Sequence, residues 1–262
     1  MRSMSNNILF VFEGKSTEYK ITKSLEKHIL TQGLFIKCAF DAEIYQFYKE
    51  LKDDGFLDSF TLIKNRNAEN QKTLKGYNRD DFAEIYLFFD YDGHSTCADD
   101  AKLEELVSFF NEETNQGKLY ISYPMVEAVR HIQDYNNFRN STVKCKGANC
   151  PYINTCEEKE ECKKELHYKT KVAKESIPQL SNMNSYTESV WKRIIETHLK
   201  KMNYIVSNLY EFPQKTVLQN IIFQKQLELF INKKCPKVAV LSAFPIFIHD
   251  YYGNEKTKDL MS

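Results

Sequence analysis

The chain has 262 residues, of which 42% are apolar and 27% are charged, so it can bury a sizeable core. Lysine plus arginine and aspartate plus glutamate each number 36, so net charge indicates neither a nucleic-acid nor a membrane partner. No apolar run reaches the roughly 18 residues of a transmembrane helix, and residues 1–7 are too polar for a signal peptide. Seven cysteines, an odd number, favour a reducing compartment. We therefore expect a cytoplasmic protein with no membrane partner.

The first half of the sequence alternates strand-like and helix-like segments. Short apolar runs predict strands at 8–12, 34–40, 60–63, 85–89 and 119–123. Apolar residues at helical spacing predict helices from residue 17, at 42–51, at 99–111 and from 126 to 132. The polar stretch 65–80 is predicted to be an exposed loop. This alternation predicts an α/β fold with a mostly parallel sheet and helices on both faces.

The pattern changes after about residue 140. Residues 141–175 are rich in cysteine, lysine and glutamate and predict a metal-binding insertion. Residues 176–262 predict a helical subdomain, with helices at 187–202 and 215–232 and an apolar run at 238–241 that returns to the sheet as a last strand. The predicted division is therefore a catalytic domain at 7–140, a Cys-rich insertion at 141–175 and a helical subdomain at 176–262.

Acidic residues follow three of the predicted strands. Glu13 follows the first strand, Asp90 and Asp92 follow the strand at 85–89, and Glu127 follows the strand that ends at Pro124. Ligands of parallel sheets bind beyond the carboxyl ends of the strands. Residues two apart on an extended chain point the same way, so Asp90 and Asp92 should converge, and oxygen ligands favour Mg²⁺ or Mn²⁺ over zinc. Alternatively, each acid only caps a turn or the first turn of a helix.

Three short motifs resemble those of Toprim-domain nucleases. FEGKSTE at 12–18 resembles the E-G-x-[ST]-[TD]-E opening of the RloB-like and OLD-type (overcoming lysogenization defect) nucleases. FFDYD at 88–92 is similar to their DxD motif, and YPMVEA at 123–128 is similar to the strand–Pro–x–x–Glu–helix segment of RloB-like sequences. The resemblance covers about residues 7–135, roughly half of the chain.

The resemblance implies a Toprim-like fold and a Mg²⁺- or Mn²⁺-dependent nuclease that cleaves phosphodiester bonds in DNA or RNA, typical of bacterial anti-phage defence. It implies that Glu13 is a general acid/base or metal ligand, that Asp90 and Asp92 hold the ion, and that Glu127 completes the acidic pocket. The type proteins carry an ATPase domain that this sequence does not show ahead of its motifs. We therefore expect an ATPase as a regulatory partner.

Two other functions remain open at this stage. One is a non-catalytic subunit of Toprim type that binds nucleic acid or a partner protein. The other is a phosphatase, because Asp90-Tyr91-Asp92-Gly93 also resembles the nucleophile motif of haloacid-dehalogenase-like phosphatases, with Asp90 as nucleophile. The second is the weaker alternative, since 238–244 supplies no acid of the later metal motif.

A second metal site is predicted in the Cys-rich insertion. Four cysteines within eighteen positions suggest a tetrahedral thiolate site, in which zinc is the first choice and an iron–sulfur cluster is an alternative: Cys145, Cys150, Cys156 and Cys162. The alternative is a set of free thiols.

Several basic residues are candidates for substrate contacts. His94 follows the DxD motif and could bind the scissile phosphate or donate a proton, or be a turn histidine without a function. Lys15 belongs to the first motif. The polar stretch 65–80 carries the other candidates for phosphate binding, namely Arg66, Lys72, Lys75 and Arg79.

Overall fold

The computed structural model describes residues 7–54, 57–157 and 167–261. Its strands are β1 Asn7–Phe12, β2 Leu34–Ala39, β3 Phe82–Asp90, β4 Asn111–Glu112, β5 Gly117–Ser122, β6 Thr142–Lys144 and β7 Lys237–Ala239. Its helices are α1 Thr17–His28, α2 Ile44–Asp53, α3 Ser59–Arg66, α4 Ala68–Thr73, α5 Asp100–Phe109, α6 Tyr168–Glu175, α7 Glu188–Ser207, α8 Gln219–Gln226, α9 Ala243–Tyr252 and α10 Asn254–Met261. A five-residue π-helix, Leu227–Ile231, continues α8.

Five strands form the main sheet in the order β2-β1-β3-β5-β4. The first four run parallel, and only the two-residue β4 runs antiparallel, along the first part of β5. The register pairs Phe12 with both Ala39 and Phe88, and Asp90 with Ser122. The carboxyl ends of β1, β2, β3 and β5 therefore lie along one edge. This α/β architecture is the predicted fold class and is consistent with a Toprim-like fold.

Aromatic side chains fill both faces of the sheet. On one face, Phe88 stacks on Phe244 of α9 with ring centroids 4.7 Å apart, and Phe10 meets Phe247 edge to face. On the other face, Phe89 contacts Phe47 of α2. The central strands are buried on both faces, which explains why they are continuous apolar runs rather than alternating ones.

The helical second half packs on the sheet rather than away from it. The apolar helix α9 covers β1, β3 and β5, and α7 packs against α9. One connected group of buried apolar residues extends from β1 to α9. Buried side chains from all three predicted segments share this core. A shared core does not mark where one segment ends and the next begins, so the division at residues 140 and 175 stays a prediction.

Two predicted strands are wrong. Residues 60–63 lie in α3, because the Asp58 carboxylate accepts a hydrogen bond from the Thr61 N–H at 2.8 Å and caps a helix there. Residues 238–241 do not join the main sheet as a strand. The strand β7 pairs with β6 in a separate two-stranded sheet, and only Leu241 bridges to Tyr123 beyond the end of β5.

The expected loop at 65–80 is also largely wrong. Asn67 accepts a hydrogen bond from the Asn70 N–H at 2.9 Å and caps α4, and a 3-10 turn follows at Arg79–Asp81. Side chains that accept hydrogen bonds from the first backbone N–H groups stabilise the helical turns here. The polar stretch therefore forms helix although its sequence lacks apolar residues at helical spacing. Among the described residues, no helix is long and apolar enough to cross a membrane.

Candidate metal centre

Glu13 directly continues β1 at the carboxyl edge of the sheet. Its N–H donates to the Phe88 carbonyl at 3.1 Å, and its carbonyl accepts from the Asp41 N–H at 2.9 Å, so the neighbouring strands hold its backbone. Its side chain reaches sideways to β3, where Oε2 accepts a hydrogen bond from the Asp90 N–H at 3.1 Å. Glu13 is therefore placed by the sheet rather than by a loop.

Asp90 and Asp92 are positioned by a tight turn at the end of β3. The N–H groups of Tyr91 and Asp92 both donate to the Pro124 carbonyl, at 3.2 and 3.3 Å. Asp92 adopts a left-handed backbone conformation with φ of 39°, which is unusual for a residue other than glycine. The next residue must be small, because a Cβ on Gly93 would lie 2.6 Å from the buried Tyr91 ring.

The turn brings three carboxylates together. Ligand oxygens of Glu13, Asp90 and Asp92 all lie within 4.8 Å of one another, and each residue is partly buried. The strand ends at Asp90 and Asp92 is left-handed, so the two aspartates do not point the same way as neighbours on an extended strand would. Their side chains nevertheless converge as predicted, because the turn brings Asp92 back to the cluster.

The electrostatics of this cluster favour a bound cation or proton. Burial, and then the charge of Asp92, raise the pKa of Glu13 to about 8. Burial, and then the charge of Glu13, raise the pKa of Asp90 well above its ordinary value. Burial also raises the pKa of Asp92 to about 6, although the nearby His94 opposes the shift. Three carboxylates this close are costly to ionise together unless a positive charge relieves them.

Two buried oxygens are compatible with a hard divalent ion at or beside the cluster. Among the described residues, neither Asp92 Oδ1 nor Glu127 Oε2 has a hydrogen-bond partner, and both atoms are shielded from solvent. A buried carboxylate oxygen without a partner is unfavourable. The donors are all oxygens, the ligand type that Mg²⁺ and Mn²⁺ prefer.

Glu127 lies beside the cluster rather than within it. It sits in the 3-10 helix Val126–Arg130 and is only 4% exposed. Its Oε1 accepts a hydrogen bond from the Thr17 hydroxyl at 3.4 Å and lies 3.6 Å from the Lys169 amine. Its negative charge raises the pKa of both Asp90 and Asp92, which places it within electrostatic reach of the cluster.

Three further residues belong to the site, beyond those predicted from the sequence. Glu18 is buried and accepts a hydrogen bond from the Gly14 N–H at 3.3 Å. Glu43 accepts a hydrogen bond from the Ser95 hydroxyl at 2.5 Å and raises the pKa of Glu13 and Asp92. Lys169 of α6 reaches the site from the Cys-rich insertion. Glu18 is the final acid of the first motif and could have been found; Glu43 and Lys169 carry no such signal.

An open pocket of about 420 Å³ lies at this site, and neither Asp92 nor Glu127 is among its described lining residues. Its lining comes from the ends of β1, β2 and β3, the start of α1, the segment after β5, and α6: Glu13, Gly14, Lys15, Ser16, Thr17, Glu18, Asp41, Ala42, Glu43, Asp90, Met125, Val126 and Lys169. Five carboxylates and two lysines therefore line the pocket.

The structure brings only some of the predicted substrate-binding residues to this pocket. Lys15 lines it and pairs with Asp41 at 3.2 Å and with Glu69 at 2.9 Å. His94 is not among the described residues that line it, but its Nδ1 lies 4.0 Å from Asp92 Oδ1 of the cluster.

The remaining basic candidates lie elsewhere. Arg66 donates to the Phe40 carbonyl at 2.8 Å and pairs with Glu50 at 3.1 Å. Arg79 donates to the Phe82 carbonyl at the start of β3, so the length of that strand, about 26 Å, separates it from Asp90. Lys72 in α4 and Lys75 after it are exposed and are not among the described residues that line the pocket.

The structure leaves the thiolate site as a prediction. Cys145 and Cys150 are buried and Cys156 is partly buried, whereas Cys162 lies outside the described residues. Within the described residues, these three cysteines do not form a group of three at metal-ligand distance.

Comparisons with known proteins add no relative. No protein-family model matches the chain, and no curated protein or solved structure matches it. What the fold and the site define is an α/β protein with a carboxylate cluster at the carboxyl edge of a parallel sheet.

Proposed function

We propose that this chain is a divalent-metal-dependent nuclease of Toprim type that hydrolyses phosphodiester bonds in DNA or RNA. One observation carries the proposal: ligand oxygens of Glu13, Asp90 and Asp92 lie within 4.8 Å of one another at the ends of adjacent parallel strands. The order of the acids along the chain also matches the motifs that resemble RloB-like and OLD-type nucleases. Neither a capping role nor a salt bridge accounts for acids that converge from two strands.

Glu13, Asp90 and Asp92 would hold a Mg²⁺ or Mn²⁺ ion, with Glu127 as a neighbouring carboxylate. A bound divalent ion would polarise the phosphate and offset the charge that develops on its oxygens during attack by water. The protein supplies the rest of the site by holding the carboxylates in place before substrate arrives, through the backbone contacts of Glu13 and of the Asp92 turn.

Other side chains fit the handling of protons and phosphate. Burial and then the charge of Asp92 raise the pKa of Glu13 to about 8, so its carboxyl group should release a proton when the ion binds. Lys169 and Lys15 offer positive charge at the pocket wall, where a phosphate would otherwise meet only carboxylates. His94, beside Asp92, is the candidate proton donor to the leaving oxygen.

The resemblance also supplies the proposed biological setting. It suggests an anti-phage defence effector in the bacterial cytoplasm, held in check by a separate ATPase. The predicted zinc or iron–sulfur site of the Cys-rich insertion belongs to the same proposal. Elemental analysis of the purified protein distinguishes zinc from iron, and the absence of both would refute that part of the proposal.

The test is cleavage of polynucleotides by the wild type and by Asp90→Ala. Both are incubated with DNA and with RNA, with Mg²⁺ or Mn²⁺ and with EDTA. We expect cleavage by the wild type alone, and only with metal. The matched control is Glu105→Gln, which removes an exposed acid of α5 and should cleave normally.

Other outcomes identify the alternatives. Equal cleavage by wild type and Asp90→Ala refutes the assignment. Binding of polynucleotide without cleavage, unaffected by loss of Glu13 or of metal, would indicate a non-catalytic subunit. Hydrolysis of small phosphate esters with capture of an aspartyl-phosphate analogue at Asp90, and no action on polynucleotides, would indicate a phosphatase.

A further inference from the structure

A second pocket lies beside the turn that carries Asp92. It encloses about 370 Å³, within the roughly 300–1,000 Å³ of small-ligand sites. Gly93 forms part of its wall, so the pocket begins one residue from a proposed metal ligand. The opposite wall is the loop that leaves the π-helix Leu227–Ile231, a type of helix often found at functional sites.

The charge of this pocket is opposite to that of the acidic pocket. Its charged lining residues are Lys146, Lys233 and Asp100. The Lys146 amine is committed to Asp100, with a contact of 2.7 Å. Lys233 is exposed, and in the part of the chain that the structure describes no salt bridge or hydrogen bond holds its amine. Glu228, which is paired with Lys225 at 2.6 Å, is close enough to feel the charge of Lys233. The Lys233 amine is nevertheless the one that lines this pocket without an ion pair among the described residues, and it can attract an anionic group such as a phosphate.

An exposed aromatic ring accompanies this charge. Tyr152 lines the pocket and is 41% exposed, which is unusual for a large aromatic side chain in this protein. The Asn149 amide attaches the same wall to the turn after Asp92 by donating to the Ser95 carbonyl at 2.6 Å and the Gly93 carbonyl at 3.5 Å. An exposed aromatic ring and a lysine in one pocket are the combination with which proteins hold single-stranded nucleic acids, by stacking on the base and neutralising the phosphate.

We infer that this pocket binds one nucleotide of a single-stranded nucleic acid that runs past the metal site. The base stacks on Tyr152, and a phosphate of the same strand lies at Lys233. The inference rests on the proposed nuclease function and adds the class of substrate, because a base inside a duplex is not free to stack on a protein side chain. Asn149 donates to the Gly93 carbonyl, so one wall of the pocket is attached to the turn that carries Asp92.

Binding of labelled oligonucleotides tests the inference. Fluorescence anisotropy is measured with single-stranded DNA, single-stranded RNA and duplex DNA, using Asp90→Asn in Mg²⁺ so that cleavage does not interfere. We expect Tyr152→Ala and Lys233→Ala each to weaken binding of single strands about tenfold, equivalent to about 1.4 kcal/mol, while Tyr152→Phe binds normally. Lys233→Ala should also reduce the salt dependence by about 0.7 in log–log slope, the effect of one lost phosphate contact on a single strand.

The controls separate this subsite from the nuclease proposal. Lys234→Ala changes the same charge at the described neighbour of Lys233, which lies outside the pocket lining, and should bind normally. Thermal melting verifies that each variant is folded. The subsite is refuted if both alanine variants bind like Lys234→Ala, or if duplex binds as tightly as single strands. The nuclease proposal fails separately, if the wild type cleaves no polynucleotide. If the wild type does cleave, its preference for DNA or for RNA single strands identifies the substrate class.

Discussion

The carboxylate cluster should destabilise the protein whenever no cation is bound, and Asp90→Asn tests this. At a separation of 4.8 Å, two carboxylates repel each other by about 3.5 kcal/mol at an effective dielectric constant near 20. Proton uptake relieves part of this repulsion, but holding a proton at neutral pH also costs free energy when the folded pKa is raised above the unfolded value. Asparagine carries no charge and needs no added proton, so it removes both the repulsion and the cost of proton uptake, and its side chain has nearly the same shape as that of aspartate. We expect the variant to gain about 1–3 kcal/mol of unfolding free energy in EDTA, which corresponds to a melting temperature about 3–10 °C higher.

Metal should narrow or remove the difference in stability between the two proteins. At about 10 mM Mg²⁺ and a dissociation constant of about 1 mM, binding stabilises the wild type by about 1.4 kcal/mol. Asp90→Asn lacks one ligand and should gain much less. Melting curves by circular dichroism, with EDTA and with Mg²⁺ or Mn²⁺, measure both effects, and Glu105→Gln is the control for loss of an exposed acid. A variant no more stable than the wild type in EDTA, together with a wild type that metal does not stabilise, would show that the cluster is not an ion site.

Three further predictions concern single residues. Gly93→Ala should lower the unfolding free energy in urea by about 1–3 kcal/mol, because its Cβ would overlap the buried Tyr91 ring; Gly14→Ala, whose Cβ would be 3.5 Å from its nearest neighbour, should be nearly neutral. Lys169→Ala should reduce cleavage about tenfold, as expected for one lost charge-assisted phosphate contact. Its unfolding free energy should fall by no more than about 1 kcal/mol, because the lysine that pairs with Glu127 is 67% exposed. A variant with wild-type kinetics would remove Lys169 from the site. Burial, and then the charge of Lys201, lower the pKa of His198 to about 3. Between about pH 6.5 and pH 3 the unfolded state therefore binds more protons than the folded state. The free energy of unfolding should fall by about 1.4 kcal/mol for each pH unit below about 6.5. His198→Gln should lack this component in denaturation measured from pH 7.5 to 5, and equal slopes in both proteins would contradict it.

The strands and the acids at their ends could be predicted from the sequence because both depend on local patterns. A strand buried on both faces must be a continuous apolar run, as the segment before Asp90 is, and a parallel sheet places the ends of its strands at one edge. Helices whose polar caps carry the signal were harder to predict. The stretch 59–73 forms two helices through the caps Asp58 and Asn67, although the apolar run at 60–63 predicts a strand and the polar stretch 65–80 predicts a loop.

The composition of the site could be predicted only in part. Glu13, Asp90 and Asp92 follow their strands directly, so the chain order already indicated a cluster. Glu43 and Lys169 reach the same pocket from a helix start and from a distant insertion, and no spacing in the sequence relates them to the strand ends. The arginines of 65–80 show the converse, since the polar character of that stretch did not reveal that Arg79 lies at the opposite end of β3.

The sequence by itself determined which segments are buried and which acids end them, because burial and turn formation act on neighbouring residues. Only the tertiary structure decided that Asp92 turns back through a left-handed conformation to meet Glu13, and that two buried oxygens are left without protein partners. It alone also placed Tyr152 and Lys233 around one pocket beside that turn. The physical reason is that convergence depends on the packing of segments far apart in the chain, which local propensity does not encode.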